Sequence, residues 1–361
     1  MAVDCQNNNL LQPKGSIRVL LVDDSSSSLK YLSCIIQADE YLEVCGTAKN
    51  AEEALLQIKR LKPDVVTMDI NMPGWDGYKT TRHIMETQPL PIVIISSYFD
   101  PLDTEKAFQA MQAGAVAALP KPPNPYHAQY QASVSKLLRT IRNMSQVKVI
   151  RRLDSGTYVN KKIIKTPKND FLRPAHNIRI IAIGASTGGP VVLQQILSGL
   201  PPDFPIPILV VQHIAQDFLQ GMLQWLNNSI KLQGIIPEQN SKVRKGGFYL
   251  APESVHMGID SAGLVQLQDT AEEYGVRPSV AHLFRSVAKS YGSGALGILL
   301  SGMGKDGALE LKSIREKGGM TIAQSKESAL INGMPGEAVK LGAAVQTMSS
   351  EEIAEFLISL K

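Results

Sequence analysis

The sequence predicts an α/β protein with two domains, each a doubly wound, mainly parallel sheet with helices on both faces. Short β-branched apolar runs alternate with amphipathic stretches over most of the 361 residues, which is the pattern of parallel α/β folds. This length is more than one hydrophobic core usually organises. Residues 143–176 lack a long periodic pattern and are rich in Lys and Arg. We interpret them as a linker between domains at 16–142 and 177–361.

Composition argues against several classes of function. Hydrophobic residues make up 44% of the chain, charged residues 19%, and the net charge is +4, which is too small to indicate a nucleic-acid partner. The sequence has no run of about 18 apolar residues, so we expect no membrane insertion. It also shows no basic and apolar leader with a cleavage site, and we therefore expect a cytoplasmic location.

The first half contains five apolar segments that predict strands. Amphipathic stretches between them have the spacing of helices, the first from Ser25 and the second over 50–61. The predicted strands are residues 17–22, 42–46, 64–69, 91–96 and 115–119.

Polar side chains follow four of these strands. Carboxyl ends of parallel strands share one edge of a sheet, where sites form. Three carboxylates there would repel one another unless a cation lies between them, and a few oxygen ligands beside a phosphate suit Mg²⁺. A lysine and a hydroxyl could hold a phosphoryl group on a nucleophilic carboxylate; the alternative is a set of solvated loop residues. The side chains belong to Asp23, Asp24, Asp69, Ser96 and Lys121.

The segments V-L-L-V-D-D, D-I-N-M-P-G-W-D-G, I-I-S-S and L-P-K-P resemble the receiver domain of two-component response regulators. The resemblance implies a flavodoxin-like (βα)5 fold, with Asp69 as the phosphoryl acceptor and a CheA-type histidine kinase as the donor. It also implies Mg²⁺, needed only for phosphorylation. The cation would be held by Asp24, Asp69 and the backbone carbonyl of Asn71, with Asp23 acting through water.

The same resemblance implies two phosphate contacts, and at one position this sequence differs from the receiver pattern. Ser96 and Lys121 would contact the phosphoryl oxygens. Many receivers have an aromatic residue three positions before this lysine, whereas this chain has Ala118. A switch that couples the Ser96 hydroxyl to such an aromatic ring is therefore not supported.

The second half opens with a predicted buried strand, residues 178–183, then a glycine-rich turn and a helix over 191–200. Residues 184–188 read G-x-S-x-G, the nucleophile-elbow pattern in the strand–turn–helix context that it needs. This pattern places Ser186 at the carboxyl edge of a sheet, beside free N–H groups of a helix N-terminus. A phosphate cradle of the dinucleotide type, in which Ser186 only caps the helix, explains this stretch equally well. The residues that we expect to end the strand are Gly184, Gly188 and Gly189.

A histidine and an aspartate follow two further predicted strands. His213 comes after residues 206–212, and Asp306 lies in S-G-M-G-K-D-G after residues 294–300. Ser, His and Asp at one sheet edge supply a nucleophile, a base and an acid that orients the base. Their chain order differs from that of α/β-hydrolases, but triads are defined by geometry. Aspartates that could compete for the acid role are Asp203, Asp217, Asp260 and Asp269.

The residues after the second of these strands weaken the dinucleotide alternative. Such a site needs an acidic residue there to hold ribose hydroxyls, whereas the sequence has Gln212 and His213. Among the other histidines of this half, we expect His256 and His282 to be surface or hydrogen-bonded core residues rather than bases.

Five motifs occur in order: I-A-I-G-A-S-T-G-G-P, V-V-Q-H-I, Y-L-A-P, R-P-S-V and L-L-S-G-M-G-K-D-G. Together they resemble the catalytic domain of the chemotaxis protein-glutamate methylesterases, the CheB family. The resemblance implies Ser186 as nucleophile, His213 as base and Asp306 as orienting acid. Backbone N–H groups near Thr187 and Met303 would stabilise the oxyanion.

This resemblance implies phosphorylation-regulated hydrolysis of glutamate methyl esters, and deamidation of glutamines, on methyl-accepting chemotaxis receptors. It implies no cofactor for the esterase step. One departure is Ala281, since relatives often have Asp after R-P-S-V. The alternative function is a response regulator whose second domain binds a nucleotide or a protein without catalysis.

Overall fold

The computed structural model describes residues 15–96, 101–147, 149, 178–214 and 218–360. The chain divides into two compact units, Met1–Gly156 and Thr157–Lys361. Most of the predicted linker lies outside the described residues, and its boundaries stay a prediction. Of the helices in the described ranges, none combines the length and the hydropathy that a bilayer crossing requires.

The first unit is a five-stranded sheet in the order β2-β1-β3-β4-β5, with every neighbouring pair parallel. This confirms the predicted flavodoxin-like (βα)5 fold. The strands are β1 (Ile17–Val22), β2 (Leu42–Ala48), β3 (Val65–Met68), β4 (Ile92–Ser96) and β5 (Ala117–Pro120). The helices are α1 (Ser26–Gln37), α2 (Ala51–Leu61), α3 (Gly77–Thr87), α4 (Pro101–Ala113) and α5 (Tyr130–Met144).

Strand register places two acidic residues of this unit side by side. Val22 pairs with Met68 across β1 and β3. The last four residues of β1 and all of β3 are buried because their side chains are apolar or β-branched. The next residue on each strand is an aspartate, Asp23 and Asp69. Both carboxylates therefore stand at the same level of the carboxyl edge.

The second unit contains a seven-stranded sheet in the order β14-β13-β12-β6-β7-β9-β8, again parallel at every pairing. The strands are β6 (Ile180–Ala185), β7 (Ile208–Gln212), β8 (Gln233–Ile235), β9 (Gly247–Leu250), β12 (Ala295–Leu299), β13 (Met320–Gln324) and β14 (Gln346–Met348). An antiparallel hairpin consists of β10 (His256–Ile259) and β11 (Val265–Gln268). The helices are α6 (Gly189–Ser198), α7 (Leu219–Ser229), α8 (Val280–Tyr291), α9 (Ala308–Glu316), α10 (Met334–Lys340) and α11 (Ser350–Ile358).

The structure corrects the prediction that the strand before the turn ends at Gly184. β6 continues through Ala185, and Gly184 pairs with Val211 inside the sheet. A Cβ on Gly184 would lie 2.3 Å from Val280 Cγ1. Glycine is therefore required because Val280 packs against the strand here, and the turn itself begins only at Ser186.

Candidate active site and phosphoacceptor site

Three neighbouring strands of the second sheet bring the predicted triad residues to one edge. β6 lies between β12 and β7, so the loops carrying Asp306 and His213 lie on either side of the Ser186 turn. Backbone hydrogen bonds join the three loops: Ser186 N donates to Ser301 O at 3.0 Å, and His213 N donates to Ala185 O at 2.9 Å. The loop positions therefore follow from the strand order.

The turn that carries Ser186 is tight and ends in a helix. Gly188 has φ 80°, a left-handed conformation that favours glycine, and Gly189 N donates to Ser186 O at 2.8 Å. Ser186 is half-buried. Within the described ranges its hydroxyl makes no hydrogen bond, and the Thr187 N–H donates none either. Both groups are thus available to a bound molecule.

His213 and Asp306 form the central contact of the site. His213 Nε2 lies 2.8 Å from Asp306 Oδ2, with side-chain exposures of 14% and 4%. A carboxylate only accepts hydrogen bonds, so the imidazole proton is on Nε2 and the lone pair is on Nδ1. Among the residues that the structure describes, Nδ1 has no partner. In this arrangement Nδ1 carries no proton and can accept one, as a base must.

Asp306 accepts four hydrogen bonds, so both carboxylate oxygens are fully occupied. Oδ2 accepts from His213 and from Val280 N at 2.7 Å; Oδ1 accepts from Ser279 Oγ at 2.8 Å and from Ala281 N at 2.9 Å. Burial alone would raise the pKa of Asp306. The His213 contact and the N–H groups of Ala281 and Val280 outweigh it and hold that pKa below its usual value.

The N-terminus of α8 is the element that fixes this carboxylate. Ser279 is the N-cap residue, and the first two N–H groups of the helix point at Asp306, as helix N-termini do toward anions. Ala281 is fully buried and contributes its backbone N–H, so the departure noted there leaves this contact intact. A Cβ on Gly307 would lie 2.3 Å from Val280 Cγ1, so the residue after Asp306 has to be small.

Gln212 is a site residue that the sequence interpretation missed. Its buried side-chain Nε2 donates to Ser186 O at 2.8 Å and to His213 O at 2.9 Å, which ties the backbones of the two residues together. A Cβ on Gly189 would lie 2.2 Å from Gln212 Oε1, so this glycine makes room for the amide. No sequence signal beyond its position next to His213 points to this role.

The loop that contains Met303 packs directly on the Ser186 turn. Ser301 Oγ donates to Thr187 O at 2.7 Å, and a Cβ on Gly302 would lie 2.7 Å from Ser186 Cβ. Met303 itself is half-buried. The structure thus brings both predicted oxyanion segments next to the nucleophile turn.

His256 and His282 lie in the same unit but are engaged elsewhere. His256 is fully buried; its Nε2 lies 2.9 Å from Ala271 O, and its Nδ1 accepts from Ser279 N at 3.2 Å. His282 stacks on it with ring centroids 4.9 Å apart and contacts Glu273 at 3.3 Å. His256 is thus a hydrogen-bonded interior residue, and His282 is a hydrogen-bonded, half-buried one.

The carboxyl edge of the first sheet holds an acidic cluster with one lysine. Ligand oxygens of Asp23, Asp24 and Asp69 all lie within 4.8 Å of one another. Lys121 Nζ lies 2.7 Å from Asp23 Oδ2 and 3.1 Å from Asp69 Oδ2. The donor set is made of hard carboxylate oxygens with one exposed member, Asp24, which fits a small divalent cation such as Mg²⁺.

Burial raises the pKa of Asp69 to about 6; the Lys121 ammonium opposes this rise and the Asp23 carboxylate adds to it. Burial lowers the pKa of Lys121, but the two carboxylates outweigh it and raise that pKa overall. The Ser96 hydroxyl is buried and has no partner in the described ranges, and Lys121 N donates to Ser96 O at 2.8 Å. An oxygen atom that accepts from the Ser96 hydroxyl, and a cation beside the three carboxylates, would satisfy this cluster.

Two further receiver residues are placed as follows. Asn71 is exposed, and its side-chain Oδ1 accepts from Lys106 Nζ at 3.3 Å; its backbone carbonyl as a metal ligand stays a prediction. Ala118 is half-buried and pairs with Ile94 across β4 and β5. The position that is aromatic in many receivers here carries only a methyl group.

Comparison with known proteins identifies both units. A family model described as CheB methylesterase matches residues 181–357, and one described as response regulator receiver domain matches residues 19–129.

Two curated relatives extend over nearly the whole chain. The chain is 45% identical over 345 residues to protein-glutamate methylesterase/protein-glutamine glutaminase 4 of Geobacter metallireducens, covering 95% of this chain and 99% of the relative. It is 43% identical over 344 residues to protein-glutamate methylesterase/protein-glutamine glutaminase 1 of Syntrophus aciditrophicus, covering 95% and 98%. The crystal structure of the Thermotoga maritima CheB methylesterase catalytic domain matches 51% of this chain and 99% of that chain, with 34% identity and a TM-score of 0.49.

Proposed function

Because this chain belongs to the CheB methylesterase family and carries a response regulator receiver domain, we propose that it is a phosphorylation-regulated serine hydrolase of chemotaxis receptors. Its substrates are glutamate methyl esters, and glutamine side chains that it deamidates. The observation that carries the proposal is the 2.8 Å contact of His213 Nε2 with Asp306, which leaves Nδ1 as the base.

The acyl-transfer step uses the Ser186 hydroxyl, the His213 ring and two backbone N–H groups. Ser186 Oγ attacks the ester carbonyl carbon and gives its proton to His213 Nδ1, while Asp306 stabilises the resulting imidazolium. The Thr187 N–H and the N–H of Met303 are the proposed donors to the oxyanion. Methanol leaves with the proton from Nδ1, and water then releases the glutamate by the same route. With a glutamine substrate the leaving molecule is ammonia.

In the receiver, Asp69 is the proposed phosphoryl acceptor and a CheA-type histidine kinase the donor. Asp23, Asp24, Asp69 and the carbonyl of Asn71 would hold Mg²⁺, which neutralises phosphoryl charge when bound. The Ser96 hydroxyl and the Lys121 ammonium are the proposed contacts of the phosphoryl oxygens.

Phosphorylation of Asp69 would shift an equilibrium toward a state in which the Ser186 edge is accessible to receptors. No cofactor is needed for ester hydrolysis in this scheme. The partners are methyl-accepting chemotaxis receptors and the kinase, and the proposed location is the cytoplasm.

Mass spectrometry of receptor peptides tests this function. Methylated, glutamine-containing receptor membranes are incubated with the full chain, its Ser186→Ala variant or the control Ser198→Ala. The control changes a serine of α6 whose hydroxyl donates to Gln195 O. We expect ester and amide sites to become glutamate with the full chain and the control, and not with Ser186→Ala. Conversion by Ser186→Ala, or none by the full chain, would overturn the proposal.

A further inference from the structure

Asp306 is held on the side away from His213 by a buried serine. Ser279 is fully buried, and its Oγ donates to Asp306 Oδ1 at 2.8 Å. The same oxygen accepts from Ala281 N at 3.1 Å as the N-cap of α8. A carboxylate only accepts hydrogen bonds, so the hydroxyl hydrogen points toward Asp306 Oδ1.

Ser279 is fixed in turn by His256. The Ser279 N–H donates to His256 Nδ1 at 3.2 Å, while His256 Nε2 lies 2.9 Å from Ala271 O. A carbonyl only accepts, so the proton of His256 is on Nε2 and Nδ1 is the acceptor. This buried histidine is neutral in that arrangement and links the β10–β11 hairpin to the start of α8.

We propose that Ser279, held in place by His256, is a positioning residue of the hydrolase: its hydroxyl keeps Asp306 in the orientation that His213 requires. The proposal rests on the function proposed above. Among the described residues, no hydrogen bond joins either residue to Ser186 or to the His213 ring, so Ser279 acts through Asp306 and His256 acts through Ser279. The 23- and 27-residue separations along the chain mean that this chain of contacts exists only in the folded unit.

Loss of the Ser279 hydroxyl has two expected consequences. Asp306 Oδ1 loses one of its two donors, so apart from the His213 contact only Ala281 N and Val280 N still orient the carboxylate. Charge-assisted hydrogen bonds of this kind are strong enough to change a rate about tenfold. The remaining carboxylate also becomes a stronger acceptor for the His213 Nε2 proton. The NMR chemical shift of the His213 Nε2 proton should therefore change. The other ionisable groups near Asp306, Glu310 and Tyr274, are unchanged by the substitution.

The test uses the full chain and methylated receptor membranes. We expect Ser279→Ala to lower kcat for methanol release about tenfold with little change in KM, and to displace the His213 Nε2–H resonance. Ser279→Gly should give the same losses at a smaller cost to the helix, and Ser279→Thr should restore most of the rate. His256→Leu should displace the same resonance, since it leaves Ser279 N without its acceptor.

Ser349→Ala is the matched control. Ser349 caps α11 through Glu352 N, so its loss costs a comparable helix cap but touches no group of the site. Unchanged kcat and an unchanged resonance in both Ser279→Ala and Ser279→Gly, beside an active parent chain, would overturn the inference. A parent chain that releases no methanol would instead overturn the proposed function. The comparison of His213 Nε2–H resonances would still decide whether Ser279 determines the orientation of Asp306.

Discussion

Replacing Asp306 with Asn perturbs one atom of the site and allows the cost to be worked out from the structure. The carboxylate accepts from four donors, two of them the N–H groups of Val280 and Ala281. An amide offers one oxygen, so in either orientation its NH₂ faces one of these backbone N–H groups. An unsatisfied buried donor costs about 1–3 kcal/mol, and the lost charge at a helix N-terminus adds about 1 kcal/mol.

We therefore expect Asp306→Asn to lower the free energy of unfolding of the second unit by about 2–4 kcal/mol at neutral pH. The folded-state pKa of Asp306 is lowered. Its carboxylate thus stabilises the fold fully above the unfolded-state pKa of about 4 and loses this effect as the pH falls through the folded-state pKa. The difference between the two proteins should accordingly shrink below about pH 4.

Expressed as a free energy, the loss of kcat in Asp306→Asn should exceed the loss of unfolding free energy. If the amide donates to His213 Nε2, the imidazole proton moves to Nδ1, and no base faces Ser186. A wrong tautomer of this kind costs about 10⁴-fold in kcat in serine-protease triads. Methanol release at neutral pH measures this loss.

Unfolding can be followed in one unit at a time. Trp225 is buried in α7, and Trp75 is the tryptophan of the first unit. Urea titration in a Trp75→Phe background therefore reports on the second unit through Trp225. The matched control is Asp203→Asn, at an exposed position. A free energy within about 0.5 kcal/mol of the parent, or a kcat within tenfold of it, would refute the reasoning.

Three further predictions follow from the same contacts. Asp69→Asn should stabilise the first unit at pH 7 without Mg²⁺ by about 1–3 kcal/mol. The folded-state pKa of Asp69 is raised to about 6, so the parent loses stability as the pH rises from about 4 to about 6, and Asn cannot ionise. A lower unfolding free energy for the variant, measured by urea titration in a Trp225→Phe background, would contradict this. Gln212→Met should lower kcat and cost about 1–3 kcal/mol in unfolding free energy, since His213 O loses its side-chain donor and Ser186 O keeps only the Gly189 N–H. Parent-like kinetics would refute it. Gly307→Ala should lower the free energy of unfolding by about 2–4 kcal/mol because the new Cβ would clash with Val280. Gly304 has φ 86° and nothing within 4 Å of a Cβ, so Gly304→Ala should show only the backbone cost of about 1–2 kcal/mol. Equal losses of unfolding free energy in urea titrations would exclude the clash.

The strand pattern predicted the fold and the edge at which the polar residues meet. Apolar runs that end in Asp23, Asp69 and Ser96 were sufficient, because parallel register brings the ends of adjacent strands to one level. The same reasoning placed Ser186, His213 and Asp306 on three loops of a second edge. Local patterns, together with the resemblance of five motifs to a known family, therefore carried the choice of these residues.

Contacts between distant segments could not be predicted in the same way. The hydrogen bonds from the N-terminus of α8 to Asp306 join residues more than 20 positions apart in the chain. The hydrogen bonds from Gln212 to the backbones of Ser186 and His213 depend on the spacing of β6 and β7. Gly184 was interpreted as a strand breaker, although it is a strand residue that makes room for Val280. Each of these features depends on tertiary packing, for which a single sequence carries no periodic signal.

Methanol release from methylated receptor membranes, measured with and without a small-molecule phosphodonor and Mg²⁺, tests the hydrolase and its regulation together. We expect release that rises with the phosphodonor in the parent chain, stays at the basal level in Asp69→Asn, and disappears in Ser186→Ala. Release that ignores the phosphodonor would contradict regulation through Asp69. Release that persists in Ser186→Ala would contradict the serine hydrolase itself.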